Sequence, residues 1–139
     1  MKKFKKIALL VATAAMVLGA TMTVFAGSDE TRLNIGSKGY ADCYVYVSDG
    51  YASAETATYA NSYEDYVYAS ADVQLHCVYV SGRDSEVSYN DSEAAVGTSA
   101  YAIAEVASGG SSVVSYYATS DHEAAIGNSP TVSAGLYTE

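Results

Sequence analysis

The sequence predicts an all-β domain: a small antiparallel β-sandwich of about seven or eight short strands, closed by one disulfide and preceded by a cleaved signal peptide. Three observations carry this. Side chains alternate with period two over long stretches. The composition favours Val, Tyr, Thr and Ser over helix formers, with Leu33, Leu75 and Leu136 the only leucines beyond residue 26 and no Trp anywhere. Turn signals recur about every ten residues.

Residues 1–26 form the leader. Lys2, Lys3, Lys5 and Lys6 precede an apolar run from Ile7 to Ala20, and Val24 and Ala26 stand at the −3 and −1 positions of a cleavage site between Ala26 and Gly27. Secretion is the expected fate, with the membrane touched only in transit during export. An uncleaved anchor over residues 7–26 is the alternative, but Thr13, Gly19, Thr21 and Thr23 dilute it. A polar segment, 27–39, then leads into one domain, 40–139.

Within residues 40–48, Ala41, Cys43, Val45 and Val47 share one face, and Tyr40, Asp42, Tyr44, Tyr46 and Ser48 share the other. Ser48-Asp49-Gly50 makes a turn. Residues 51–60 read as a weaker strand and 61–65 as a loop. Residues 66–80 alternate again: Val67, Ala69, Ala71, Val73, Leu75, Cys77 and Tyr79 against Tyr66, Tyr68, Ser70, Asp72, Gln74 and His76. Cys43 and Cys77 are the only cysteines and both fall on the small apolar face. In an exported chain they are expected to pair, which would stabilise the fold by about 3–4 kcal/mol. Turns follow at Ser81–Asp84 and Ser108–Ser111.

The second half repeats itself over 85–107 and 112–137. Ser85-Glu-Val-Ser-Tyr89 matches Ser112-Val-Val-Ser-Tyr116, and Asp91-Ser-Glu-Ala-Ala-Val-Gly-Thr-Ser99 matches Asp121-His-Glu-Ala-Ala-Ile-Gly-Asn-Ser129. Each copy reads as strand, polar loop, strand. One helical turn at Glu93–Val96 would be stopped by Gly97.

Charge narrows the partners. All 16 acidic residues lie beyond residue 26, against Arg32, Lys38 and Arg83, a formal charge of −13 for that part. Nucleic acid and anionic lipid need clustered Lys and Arg and are excluded as main partners. No nucleophile elbow, zinc-protease helix or phosphate loop occurs, so no catalytic residue, no cofactor and no metal site is assigned, and a non-enzymatic role is expected. His122 reads as a solvated loop residue. Asn90, Asp91, Glu93, Asp121 and Glu123 supply hard oxygen ligands, but in no recognised calcium-loop spacing.

The 14 tyrosines are the distinctive feature. Tyr44, Tyr46, Tyr66 and Tyr68 face away from the expected core. They make a candidate surface for an extracellular glycan or protein, because Tyr suits places where one end is wet. Cross-strand stabilisation is the competing use of the same residues. Self-assembly into an extracellular matrix is a further alternative, since Tyr66-Val-Tyr-Ala-Ser-Ala71 has zipper-like composition, flanked by Glu64, Asp65 and Asp72. Oligomeric state is not legible.

Over residues 113–137, Tyr116-Tyr117, His122-Glu-Ala124, Asn128 and Ala134-Gly-Leu-Tyr137 resemble the lactococcin 972 family of small exported bacteriocins. That resemblance implies a secreted β-sandwich acting on the envelope of neighbouring bacteria.

Overall fold

The computed structural model describes residues 27–108 and 113–139. The leader and its cleavage site before Gly27, and most of the Ser108–Ser111 turn, lie outside the described residues. The chain is all-β and antiparallel. Its strands are β1 (Gly27–Asn34), β2 (Gly39–Ser48), β3 (Tyr51–Tyr79), β4 (Asp84–Ala107), β5 (Val113–Ile126) and β6 (Val132–Thr138), with one short 3₁₀ turn at Gly36–Lys38.

They form one sheet nearly closed into a barrel. The first half of β3 lies between β2 and the end of β4. Its second half lies between the start of β4 and β5. β1 and β6 add to the outsides of β2 and β5. These two terminal strands then meet: a Cβ on Gly27 would collide with the Glu139 carbonyl oxygen and Thr138 Oγ1.

Two long strands replace several expected short ones. Residues 61–65, read as a loop, stay in strand β3, where the pairing shifts register between Tyr59 and Glu64 and again between Glu64 and Val67. Those shifts bend the strand from one half of the sheet into the other. The polar middle of the 85–107 copy, read as a loop with one helical turn at Glu93–Val96 as an alternative, is extended in β4. Polar side chains there reflect exposure of a strand rather than a break in it.

The core is made of small side chains. Ala41, Cys43, Val45 and Val47 of β2 face Ala52 and Ala54 of β3, then Val67, Ala69, Ala71, Val73 and Leu75, with Ala118, Ala124 and Ile126 of β5. The inner faces of 41–47 and 67–77 are those the alternation predicts. With no aromatic ring between them, the two halves of β3 approach closely. Thr56 Oγ1 donates to the Ser70 carbonyl at 2.7 Å and Thr58 Oγ1 to the Tyr68 carbonyl at 2.9 Å. Gly39 enters β2 at φ 152°, and a Cβ there would strike the Tyr59 carbonyl. Gly39→Ala is therefore expected to cost about 2 kcal/mol or more, read as a lowered midpoint in denaturant.

The expected disulfide does not form. Cys43 and Cys77 are buried on the core face but are free thiols. Parity placed them on one face, and distance along the strand keeps them apart. Cys43 stands opposite Thr56, which in turn lies against Ser70. Cys77 is seven residues further along β3, opposite Ser85 and Tyr116. At about 3.3 Å per residue that is roughly 20 Å, far beyond the Cα separation of about 7 Å that a disulfide tolerates. Burial pushes the Cys43 thiol up to about 12, so it is inert in the folded state. Reducing agent is expected to leave the melting temperature unchanged, and a thiol reagent to titrate two groups only after unfolding. A melting temperature that falls on reduction would contradict this placement.

Candidate binding face and the buried polar groups

Residues directly opposite across a ladder share a face, so the pairing defines two outer surfaces. On the first half of the sheet, Glu30, Tyr44, Glu55 and Ile103 form one row across β1, β2, β3 and β4, and Arg32, Asp42, Ala57 and Tyr101 form the next. Tyr46 lies opposite Ser28 and Ser53. Tyr40 and Tyr59 pack at 5.3 Å between centroids, and the Arg32 guanidinium sits 4.1 Å over Tyr40 while binding Asp42 through two nitrogens at 2.6 and 3.0 Å.

These tyrosines are half-buried and roof the middle strand, where Ser53, Glu55 and Ala57 are buried between bulkier neighbours. Neither Glu55 oxygen makes a well-formed hydrogen bond, although the Tyr101 hydroxyl lies close enough to favour the charged form. Burial pushes this carboxyl up to about 7, opposed by the neighbouring Tyr101 hydroxyl and reinforced by Glu105. Glu105 itself accepts from Tyr51 at 2.6 Å.

The second half of the sheet has a different outer surface. Ser70, Asp72, Gln74 and His76 of β3 stand opposite Glu123, Asp121, Thr119 and Tyr117 of β5, and opposite Ser92, Asn90, Ser88 and Glu86 of β4. An aromatic stack closes each end. Tyr66 and Tyr68 lie parallel at 6.1 Å. His76 and Tyr117 stack at 4.4 Å with planes 3° apart, and Tyr137 of β6 packs on Tyr117 at 5.8 Å.

Between the stacks runs an open groove lined by Asp72, Val73, Gln74, Ser88, Tyr89, Asn90 and Asp121. Thr119 donates to Gln74 at 3.3 Å. Asp72 is raised by burial and by the Asp121 carboxylate opposite it. From Tyr68 to His76 the surface spans about 25 Å.

The four tyrosines singled out from sequence are thus divided. Tyr44 and Tyr46 belong to the first outer surface, and Tyr66 and Tyr68 to the second. Sequence reading missed Tyr117, Tyr137 and His76 as partners, because their stack depends on β5 and β6 aligning beside β3. Among the described residues no three His, Cys, Asp or Glu side chains are grouped to hold a metal ion. Asp91 instead accepts from the Ile103 amide at 3.1 Å.

His122 is not a loop residue. It lies in β5, fully buried, opposite Ala71. Its Nδ1 is 2.8 Å from Thr56 Oγ1 and its Nε2 2.7 Å from Ser120 Oγ. Because the Thr56 proton goes to the Ser70 carbonyl, Nδ1 must carry the proton and donate to Thr56. Nε2 then accepts from Ser120. The result is a directed chain from Ser120 through His122 and Thr56 to Ser70, with burial holding the imidazole down at about 4. A hydroxyl hydrogen-bonded to a histidine resembles a nucleophile and its base, but Ser120, His122 and Thr56 are all sealed in the core.

No family model, curated protein or solved structure matches the chain.

Proposed function

We propose that this is a secreted, non-enzymatic binding protein that holds a linear glycan along the outer surface of the second half of its sheet. The observation that supports this most is the pairing of two aromatic stacks, Tyr66–Tyr68 and His76–Tyr117–Tyr137, at the ends of a polar groove. Flat rings offer apolar faces to the C–H sides of sugar rings, while Asp72, Gln74, Asn90, Thr119 and Asp121 present the donors and acceptors that hydroxyl groups require. The carboxylates Asp72, Asp121 and Glu123 favour neutral or amino sugars over sulfated or uronic ones. A binding role accords with the sealed position of the Ser120–His122 pair, which no substrate can reach from outside.

Replacing both Tyr68 and Tyr117 with Ala is expected to weaken retention on insoluble polysaccharide by about 10–30-fold, on the basis of roughly 1 kcal/mol per lost stack. Melting temperature should change little, and Tyr46→Ala, on the other surface, should bind as the parent does. Equal retention of the double variant and the parent would refute the assignment of this surface.

A further inference from the structure

We infer that the outer edge of β4 is a docking site for an extended cationic polypeptide segment, which adds to the sheet as a further strand. Among the described residues, β3 is the strand that pairs with β4, and it occupies one edge only. β4 is 24 residues long, and every residue from Asp84 to Ser99 is exposed or half-exposed on both faces. Tyr89 is 55% exposed and Val96 65%. Free edges are ordinarily blunted by Lys, Pro or shortness. This strand contains no Lys, Arg or Pro.

The repeated segment shows what is missing. Both copies flank β3, but one residue out of phase: Val67 lies between Ala95 and Ile126, whereas the sequence match aligns Val96 with Ile126. A one-residue slip exchanges faces, so Ile126 enters the core while Val96 points to solvent. The copies also end differently. After Ile126 the chain turns at Gly127, with φ 58°, and Ser129 bonds back to both the amide and the carbonyl of Ile126. That turn returns β6 along the outer edge of β5. After Val96 the chain makes no turn but continues as strand through Gly97, at φ 141°, into the first half of the sheet. The edge that β6 covers on β5 is therefore uncovered on β4.

Charge selects the occupant. Asp84, Glu86, Asp91, Glu93 and Glu105 lie along β4 without a cation on the strand. A second copy of this acidic chain would set like charges edge to edge, whereas a segment with alternating Lys would set its Lys side chains beside Asp84 and Glu86 on one face, or beside Asp91 and Glu93 on the other, while the backbone completes the ladder.

The test uses the full chain and two synthetic decapeptides, one alternating Lys and Thr, the other Glu and Thr. Amide exchange is followed by NMR. The Lys–Thr peptide is expected to bind saturably and to slow exchange at alternate residues of 84–99, and the Glu–Thr peptide to do neither. Glu86→Lys combined with Glu93→Lys, both at exposed positions, should weaken binding by about tenfold or more while preserving the spectrum of the core. Binding without slowed β4 amides, or equal binding by the double variant, would overturn the proposal. Slowed β4 amides that depend on protein concentration without peptide would assign the edge to a second copy and overturn it equally.

Discussion

His122→Ala is expected to destabilise the protein by about 3 kcal/mol or more at pH 7, the largest single loss among the core positions. The substitution leaves a cavity under β5, takes the acceptor from Ser120 and takes the donor from Thr56, each inside a dry interior. The parent also carries a pH signature. The imidazole is held at about 4 by burial, against an ordinary value of 6.5. The folded state thus binds fewer protons than the unfolded chain between those values. The contribution is complete above pH 6.5 and is lost as pH falls towards 4, about 3 kcal/mol in all. Chemical denaturation of the parent and of His122→Ala at steps from pH 4 to 7 checks this. The difference between them should shrink as pH falls.

Glu55→Met is expected to act in the opposite sense. Glu55 is a fully buried carboxyl whose two oxygens make no well-formed hydrogen bond, and Met fills a similar volume without a charge. Burial raises the carboxyl from 4.5 to about 7. The folded state here binds more protons than the unfolded chain. The stability tied to the protonated form is complete below pH 4.5 and lost as pH rises through 7. Glu55→Met should therefore gain on the parent by about 3 kcal/mol between pH 4.5 and 7, then hold that advantage. Between about pH 4.5 and 6.5 the two buried groups tilt the parent in opposite directions. Each variant should uncover the slope of the group that remains. A Glu55→Met protein whose advantage stays constant across this range would show that Glu55 is solvated.

Much of this fold is written locally. Period two over 40–48 and 66–77 names the inner faces of β2 and β3 residue by residue, because a strand with one dry face allows nothing else. Small side chains at those positions anticipate a thin core, and the close approach of the two halves of β3 follows. What failed were inferences about length and distance. Residues 61–65 and the polar middle of the 85–107 copy carry side chains that read as loops, yet ladder bonds to a neighbouring strand keep them extended. Cys43 and Cys77 share a face as their parity requires, but parity says nothing about level along the strand.

The candidate site was half visible. Tyr66 and Tyr68 are marked by alternation, whereas Tyr117 and Tyr137 join a stack only through the β3–β5–β6 register. His122 was misread although it is in phase with Ala118, Ser120, Ala124 and Ile126, an alternation that places it inward once 113–126 is taken as one strand. Nothing local marks Glu55. It lies on the outward face of β3 and is buried by Tyr44 and Ile103, neighbours from two other strands.

The most direct test of the binding surface is a residue-resolved NMR titration with linear hexasaccharides of glucose and of N-acetylglucosamine. The glycan-binding account predicts shifts confined to Tyr66, Tyr68, Asp72, Gln74, Tyr117, Thr119, Asp121 and Tyr137, with Tyr40, Tyr44, Tyr46 and Tyr59 unmoved. Shifts confined to that second group, or none with either sugar at millimolar concentration, would contradict it.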